Sequence, residues 1–371
     1  MTGAKPFFRA DHVGSLLRPL ELHAARDRYA RGQIDATDLR AVEDAAISDA
    51  VGAQEETGLR VVTDGEFRRE NWWIDVIGRL RGVQIEEGHN PAFAETAGQE
   101  NRYVPKSVVT RSKIGWPGPI LRNDFTFVAD VATSTAKITL PSPSRIHFHG
   151  GRNVVSQEAY PDIEDFFADV VDVYRHEIAA LEEAGCRYVQ IDDPLFSYFI
   201  DERMRSEIVA DGEQPDVRLA RYVRLINDCI AGARPQTAIG VHVCRGNARS
   251  TWLASGGYER IAEIVLGGLD VDHFLLEYDD ERSGDFQPLR FIPRGKRVVL
   301  GLVTTKRGLL EESDVLCRRV EEATKYVPLE DLALSPQCGF ASTHEGNVIT
   351  PHDQWAKLRL VVETARRIWA A

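Results

Sequence analysis

The sequence predicts an α/β protein folded as a single (β/α)8 barrel that spans residues 1–371. Short apolar runs alternate with longer amphipathic stretches, a pattern typical of repeated strand–helix units around a parallel sheet. Eight such units occur in the chain. Polar residues follow most of the predicted strands, which is where barrel enzymes keep their active sites. A barrel with insertions can hold a chain of this length as one domain.

Each predicted strand is a short apolar run. In chain order the strands cover residues 7–13, 59–64, 137–141, 188–192, 238–244, 273–278, 297–303 and 332–335. The amphipathic stretches between them predict helices. The main helices cover about residues 20–57 with a break near Gly32, and about residues 157–184, 218–231 and 351–369.

One segment, about residues 78–136 between the second and third strands, does not fit the barrel period. Residues 103–113 and 124–132 have strand-like patterns, and the Gly-Trp-Pro-Gly-Pro sequence at 115–119 has turn-forming residues. The segment therefore predicts a β-hairpin excursion. Such a hairpin would either cover the active site or contact a second subunit, and the sequence leaves a homo-oligomer open.

Composition narrows the classes of function. The formal charge of -12 argues against a nucleic-acid partner and against binding to an anionic membrane. No apolar signal segment follows Met1, and no apolar run reaches membrane-spanning length. We therefore expect a cytoplasmic protein that acts on small molecules.

The cysteines do not form a disulfide pattern, because there are five of them scattered over the chain. Cys186 lies at a helix-to-strand turn, and Cys229 and Cys317 lie in helix-like patterns, so packing explains these three. Cys244 and Cys338 end predicted strands instead.

The strand ends at His242, Cys244 and Cys338 could form a metal site. Residues two apart on a strand point to the same face, so the imidazole of His242 and the thiolate of Cys244 can reach one ion. Cys338 would add a third soft ligand and leave an open coordination position, as in catalytic zinc sites. The alternative is a buried, hydrogen-bonded histidine beside two inert core thiols.

Other predicted strands also end in polar residues. Taken singly, each has a plain explanation: Asp64-Gly65 is a common turn, Ser15 could cap a helix, and Asp193-Pro194 could end a strand. A shared functional site explains them together. The set consists of His12, Ser15, Asp64, Glu66, Asp192, Asp193 and Glu277.

Five motifs in sequence order resemble the catalytic domain of cobalamin-independent methionine synthase and its shorter single-barrel relatives, over nearly the whole chain. Any one motif is weak, but five in the family's order are specific. They are Thr63-Asp-Gly-Glu-Phe-Arg-Arg, Val189-Gln-Ile-Asp-Asp-Pro, Val241-His-Val-Cys, Leu276-Glu-Tyr and Ser335-Pro-Gln-Cys-Gly. The opening Phe8-Arg-Ala-Asp-His-Val-Gly-Ser-Leu-Leu-Arg-Pro is similar to the short members.

The resemblance implies a zinc-dependent methyltransferase of methionine biosynthesis that moves a methyl or alkyl group to a substrate thiol. It assigns His242, Cys244, Glu277 and Cys338 to the zinc. Two thiolates and a carboxylate would keep the site electron-rich and the bound thiolate nucleophilic. Glu277 is the hardest donor in this set, so its bond to the zinc is expected to weaken or break when the substrate thiol binds.

The same resemblance implies roles for four further residues. Glu66 and Asp192 would bind the ammonium group of an aminothiol such as homocysteine. With a thiol that has no amine, these acids would instead protonate a leaving group. Ser15 would hold the substrate carboxylate, and His12 would relay a proton or cap the following helix.

The sequence departs from the family in ways that leave the methyl donor open. The long methionine synthases have an additional N-terminal barrel that helps to bind folate, and none is seen here. Their pterin-stacking tryptophan has no counterpart near the end of the third strand, where Phe148, His147 or His149 would substitute. Folate, a methylated corrinoid protein and a small methyl donor all stay open.

Two alternatives compete with the methionine synthase interpretation. The arrangement of predicted ligands also resembles that of epoxyalkane:coenzyme M transferase, in which a zinc-bound thiolate opens an epoxide. A cation would then face the sulfonate of coenzyme M, and Arg68, Arg69 and Arg245 lie near strand ends. The other alternative is a non-catalytic barrel that binds zinc or a thiol, although such a module need not keep Glu66 and Asp192.

Overall fold

A computed structural model describes residues 4–87 and 106–370 of the chain. Ten strands occur in the described residues, and most are short and buried on both faces, as expected for a parallel sheet covered by helices. They are β1 (Val61–Val62), β2 (Arg81–Glu86), β3 (Ser107–Gly115), β4 (Thr135–Ala136), β5 (Ile138–Pro141), β6 (Tyr188–Asp192), β7 (Ala238–Val243), β8 (His273–Glu277), β9 (Arg297–Val303) and β10 (Leu332–Pro336).

Six strands form one parallel sheet in the order β5-β6-β7-β8-β9-β10. β4, which precedes β5 by one residue, pairs in parallel with β1. At the other edge Ala10 forms a parallel bridge with Leu334, and the N–H of Asp11 donates to the carbonyl of Leu334 at 3.0 Å. The chain is thus an α/β fold with a parallel sheet, and the predicted first strand is reduced to this bridge.

Twelve α-helices lie in the described part of the chain. They are α1 (Leu20–Ala30), α2 (Ala36–Glu56), α3 (Ile74–Ile77), α4 (Arg122–Val131), α5 (Arg145–Phe148), α6 (Ile163–Glu183), α7 (Leu195–Tyr198), α8 (Glu202–Ala210), α9 (Pro215–Ile230), α10 (Glu259–Val265), α11 (Ser313–Ala323) and α12 (Pro351–Trp369). None of the helices in this part of the chain is long and apolar enough to cross a membrane.

Local sequence signals explain where the main helices begin. The Asp35 side chain accepts the N–H groups of Thr37 and Asp38, which caps α2 and confirms the predicted break near Gly32. The Asp162 side chain accepts the N–H of Glu164, so α6 begins at Ile163 and not at the predicted residue 157. Thr350 and Asp353 form a capping box at the start of α12.

The prediction for the excursion was wrong in part. The antiparallel pair consists of β2 and β3, while residues 124–132, predicted as a strand, lie mainly in α4. Phe125 and Val128 are the buried residues of α4, and their spacing of three is the helical period that the sequence interpretation missed. The residues that join β2 to β3 and the start of the predicted strand 103–113 lie outside the described residues.

Candidate functional site

The loops that follow the parallel strands surround a cleft of about 570 Å³, a volume that includes space open to solvent. Because the carboxyl ends of parallel strands lie at one edge of the sheet, side chains far apart in sequence meet there. Six of the residues selected from the sequence line this cleft. They are Ser15, Glu66, Asp192, His242, Cys244 and Cys338.

His242, Cys244 and Cys338 form a compact group of metal-ligating side chains at the cleft. One ligand atom from each lies within 4.8 Å of those of the other two, and all three residues are buried. Neither ring nitrogen of His242 has a nitrogen or oxygen hydrogen-bond partner, although both are buried, and the imidazole interacts with Cys338. A buried imidazole held only beside thiols is unexpected for a structural histidine, so the group fits a soft metal ion.

The side chains of Cys244 and Cys338 are hydrogen-bonded to each other. Their sulfur atoms lie 3.6 Å apart, within the range of a sulfur hydrogen bond. This hydrogen bond lowers the pKa of Cys338 well below its usual value and raises the pKa of Cys244. Burial lowers the pKa of His242, but Cys338, Asp192 and Glu277 together outweigh burial and leave the pKa of His242 raised. The group therefore favours a thiolate on Cys338, which is the form that binds metal.

Glu277, the fourth predicted ligand, lies outside this three-residue group. It is fully buried at the end of β8, where its Oε2 accepts the N–H of Arg245 at 2.7 Å and its Oε1 accepts from Arg282 at 2.7 Å. Burial raises the pKa of Glu277, but Lys306, Arg245 and Arg282 outweigh burial and lower it to about 2. The carboxylate is therefore ionised and held by cations.

Glu66 lies in the cleft with a strained backbone and a carboxylate that lacks a hydrogen bond on one oxygen. Its backbone φ is 59°, in the left-handed region that residues other than glycine rarely adopt. This conformation costs on the order of 1–3 kcal/mol. Oε1 accepts from Thr139 at 2.7 Å and lies 3.5 Å from Arg69, whereas Oε2 is buried without a partner. Burial raises the pKa of Glu66 despite Arg69.

Asp192 ends β6 and faces the same cleft. Its Oδ1 accepts from the side-chain amide of Gln190 at 2.7 Å. Burial raises the pKa of Asp192 to about 7, with His242 opposing the rise and Glu66 adding to it. Glu66 and Asp192 thus both have raised pKa values, and a cationic ligand in the cleft would stabilise their ionised forms.

Ser15 and Gly339 approach closely at the rim of the cleft. A Cβ atom at position 339 would overlap the Ser15 hydroxyl, so only glycine permits this contact. The backbone N–H of Ala341 lies 3.4 Å from the Ser15 oxygen. The hydroxyl and the neighbouring backbone thus form a polar rim beside Cys338.

Several residues selected from the sequence do not line the cleft, Glu277, Asp64 and Asp193 among them. His12 is buried, and burial lowers its pKa to about 3, so the imidazole is neutral. Arg68 forms ion pairs with Asp44, Glu43 and Asp124 on the helical side of the fold. Phe148 packs edge-on against Tyr198 and Phe199.

The other two arginines considered for a sulfonate are also engaged. The Arg69 guanidinium donates to the carbonyl of Thr139 at 2.7 Å. Arg245 donates to the carbonyls of Gly256 and Ser283 and lies over the Tyr258 ring. No Arg or Lys side chain lines the cleft among residues 4–87 and 106–370.

The sequence interpretation missed several cleft residues, most of them on loops. Asn247 follows β7, donates its amide to the carbonyl of Gly339 at 2.9 Å and leaves its Oδ1 buried without a partner. Its position three residues after Cys244 was a signal that the strand-end argument could have used. Four further lining residues lie six or more residues beyond a strand and carry no such signal: Trp72, Tyr198, Ser342 and Thr343.

Comparison with known proteins identifies a family and a shared fold. Residues 8–367 match the family described as the catalytic domain of cobalamin-independent synthase. The protein YxjH of Bacillus subtilis is 42% identical over 98% of this chain and 95% of its own length. A methionine synthase of Pyrococcus abyssi is 24% identical over 90% of this chain and 86% of its own length.

Two solved structures resemble the chain over nearly its full length. The putative vitamin-B12-independent methionine synthase of Listeria monocytogenes is 36% identical, has a TM-score of 0.79 and is covered over 99% of both chains. A B12-independent methionine synthase from Shewanella, in complex with selenomethionine, is 19% identical, with a TM-score of 0.73 and 98% of both chains covered. At that identity the second likeness concerns the fold.

Proposed function

The chain belongs to the cobalamin-independent methionine synthase family, and from this premise we propose that it transfers a methyl or other alkyl group to the sulfur of a small aminothiol. The acceptor is of the homocysteine type. The observation that carries the proposal is the presence, in one cleft, of three soft metal ligands and a buried carboxylate oxygen of Glu66 without a partner.

His242, Cys244 and Cys338 would hold a zinc ion, because one imidazole and two sulfurs are donors that suit zinc. Zinc bound there would coordinate the substrate thiol and favour its thiolate form at neutral pH. Glu277 stays our prediction for the fourth ligand. To join the group it would have to leave Arg282 and the N–H of Arg245.

Glu66 and Asp192 would bind the substrate ammonium. Each has an oxygen engaged within the protein, Glu66 with Thr139 and Asp192 with Gln190. Their second oxygens remain for the N–H groups of the ligand, which would orient the sulfur toward the soft ligands. Asp192 also stays our prediction for the residue that holds or releases a proton during the reaction. Ser15 would bind the carboxylate.

The charge of the cleft favours an aminothiol over coenzyme M. A sulfonate requires a cation, but Arg68 and Arg245 are bound to groups outside the cleft lining, and Arg69 is bound to Thr139 and paired with Glu66. Two carboxylates in the lining would repel a sulfonate and attract an ammonium. This argument supports the homocysteine-type acceptor.

We also propose that the eight parallel segments close into a (β/α)8 barrel, and the bridge between Ala10 and Leu334 supports this closure.

For the donor, Trp72 and Tyr198 are the aromatic side chains that line the cleft. A flat methyl donor would stack on them and not on Phe148, which is packed against other rings.

Calorimetric titration of the zinc-loaded protein tests the function. We expect homocysteine to bind with release of about one proton per site, seen as heat that depends on the buffer, and to bind more tightly than 4-sulfanylbutanoate, the same thiol without the amine. Glu66→Gln should weaken homocysteine binding about ten- to hundredfold, because it removes one charged hydrogen bond. It should leave the amine-free thiol nearly unaffected.

Glu43→Gln is the matched control for that variant. Burial raises the pKa of Glu43 as it does that of Glu66, but Glu43 pairs with Arg26 and does not line the cleft. It should leave binding of both thiols unchanged. If Glu66→Gln weakens both thiols equally, or if no proton is released with homocysteine, the proposed function is wrong.

A further inference from the structure

A hydrogen-bonded network leads from the interior of the sheet to Asp192. Its centre is Lys137, which lies between β4 and β5 with its side chain fully buried. The ammonium donates to Asp11 Oδ1 at 2.7 Å, to Gln190 Oε1 at 3.0 Å and to the carbonyl of His12. An ammonium has three N–H groups, so every donor of Lys137 is used.

Lys137 fixes the orientation of the Gln190 amide. Because Oε1 accepts from the ammonium, the amide nitrogen Nε2 must point the other way, toward the carbonyl of Val13 at 2.6 Å and Asp192 Oδ1 at 2.7 Å. A flipped amide would place its NH2 against the ammonium and its oxygen against the carboxylate. Both contacts would be repulsive in a buried environment, where polar interactions are poorly screened.

Gln190 in turn fixes the Asp192 carboxylate. The two residues are two apart on β6, so their side chains lie on the same face of the strand. The Gln190 amide holds Oδ1, which leaves Oδ2 to meet a ligand in the cleft. A carboxylate held by one oxygen has less rotational freedom to lose when it binds an ammonium.

We propose that Gln190 is a positioning residue that gives this site its preference for an aminothiol, and that Lys137 acts through Gln190 by setting the direction of its amide. This inference rests on the proposed function, because it assigns the binding of the substrate ammonium to Asp192. Neither residue lines the cleft, so neither touches the substrate.

The test uses Gln190→Met in the full-length, zinc-loaded protein. Methionine has a similar size and no amide, so Asp192 loses its donor. We expect homocysteine to bind about tenfold more weakly, with unchanged affinity for 4-sulfanylbutanoate and unchanged zinc content. Gln190→Glu keeps an acceptor for Lys137 but removes the donor to Asp192. It should show the same selective loss, and it serves as the second variant if the methionine variant folds poorly.

Two further variants separate positioning from a general structural effect. In an Asp192→Asn background, adding Gln190→Met should not change homocysteine affinity further, because Gln190 acts through the carboxylate. Tyr188→Phe removes the hydrogen bond to Asp11 Oδ2 at the far end of the network. It should lower stability and keep the preference for homocysteine.

The outcomes distinguish this inference from the proposed function. Wild-type protein that binds both thiols equally overturns both. A loss of preference in Asp192→Asn, with full preference kept in Gln190→Met and Gln190→Glu, overturns only the role of Gln190. Additive losses from Gln190→Met and Asp192→Asn would also overturn it, since the two residues would then act separately.

Discussion

Two buried carboxylates, Asp11 in the interior of the sheet and Glu66 in the cleft, are in opposite electrostatic states. Both oxygens of Asp11 are hydrogen-bonded, Oδ1 by Lys137 and Oδ2 by Tyr188 at 2.8 Å. Burial raises its pKa, but Lys137, His12 and the Tyr188 hydroxyl together outweigh burial and leave the pKa lowered. Glu66 keeps one oxygen without a partner, and burial raises its pKa.

The difference separates a structural polar group from a binding group. Buried polar atoms in folded proteins nearly always have partners, so a saturated network needs no ligand to explain it. An orphaned acceptor in a cleft lowers stability and is relieved when a donor binds. The unpartnered atoms of Glu66, Asn247 and His242 lie at the same cleft and point to a ligand there.

Removing Lys137, the cation that pairs with Asp11 in the interior of the sheet, should have the largest effect on stability. Lys137→Met leaves the Asp11 carboxylate buried without its counter-ion, which should cost about 3–5 kcal/mol of unfolding free energy. Urea denaturation measures this loss. Lys357→Met, which removes a buried lysine paired with the half-buried Glu311, is the control and should cost less. An equal or smaller loss for Lys137→Met would contradict the comparison.

A single hydrogen bond of the same network should have a smaller effect. Tyr188→Phe removes the hydroxyl that donates to Asp11 Oδ2. Because the acceptor is charged, we expect a loss of about 1.5–3 kcal/mol in urea denaturation. The loss should shrink when Asp11→Asn is already present, and independent losses would show that Tyr188 does not act on this carboxylate.

The pH dependence of stability should have opposite signs in the two regions. Since the pKa of Glu66 is raised above 4.5, the folded state keeps a proton that the unfolded state releases, and stability is lost as pH rises through the folded value. Glu66→Gln should therefore gain stability relative to wild type as pH rises above 4.5. Denaturation at several pH values measures this gain.

Asp11→Asn should behave in the opposite way. A lowered pKa gives stability that is present above 3.8 and is lost as pH falls through the folded value, so this variant should be less stable than wild type at neutral pH. The deficit should shrink in acid. The same pH trend in both variants would contradict the distinction between the two carboxylates.

Substitution of a cysteine ligand should have the smallest effect on folding. It should nevertheless remove most of the bound zinc. Cys244→Ser or Cys338→Ser should change the unfolding free energy of metal-free protein by about 1 kcal/mol or less, since both lie at the cleft and not in the main core cluster. Elemental analysis should find about one zinc per wild-type chain and little in either variant. Cys229→Ser is the control, and active protein without zinc would contradict the proposal.

The parallel strands and the local metal-ligand pattern followed from the sequence. Alternating apolar and amphipathic stretches mark buried strands and the helices that cover them, and β5 to β10 lie where six of the predicted strands were placed. His242 and Cys244 share a face of β7 because the period of a strand is two residues. Such features depend on a few neighbouring residues.

Tertiary structure decided which distant groups meet. The carboxyl ends of strands converge, but the direction of each side chain depends on partners far away in sequence: Arg282 holds Glu277, Asp44 holds Arg68, and the Arg245 guanidinium points to the carbonyl of Gly256. Asn247 and Trp72 enter the cleft on loops, whose paths no periodicity specifies.

The sequence by itself therefore determined the α/β class, the order of the parallel strands and the family to which the chain belongs. It also placed Cys338 at the end of a strand, but only folding brought its sulfur within 3.6 Å of Cys244. Likewise, only folding satisfied Asp11 and left Glu66 without a full set of partners. The physical reason is that secondary structure follows local backbone periodicity, whereas burial and hydrogen-bond saturation depend on the whole packed chain.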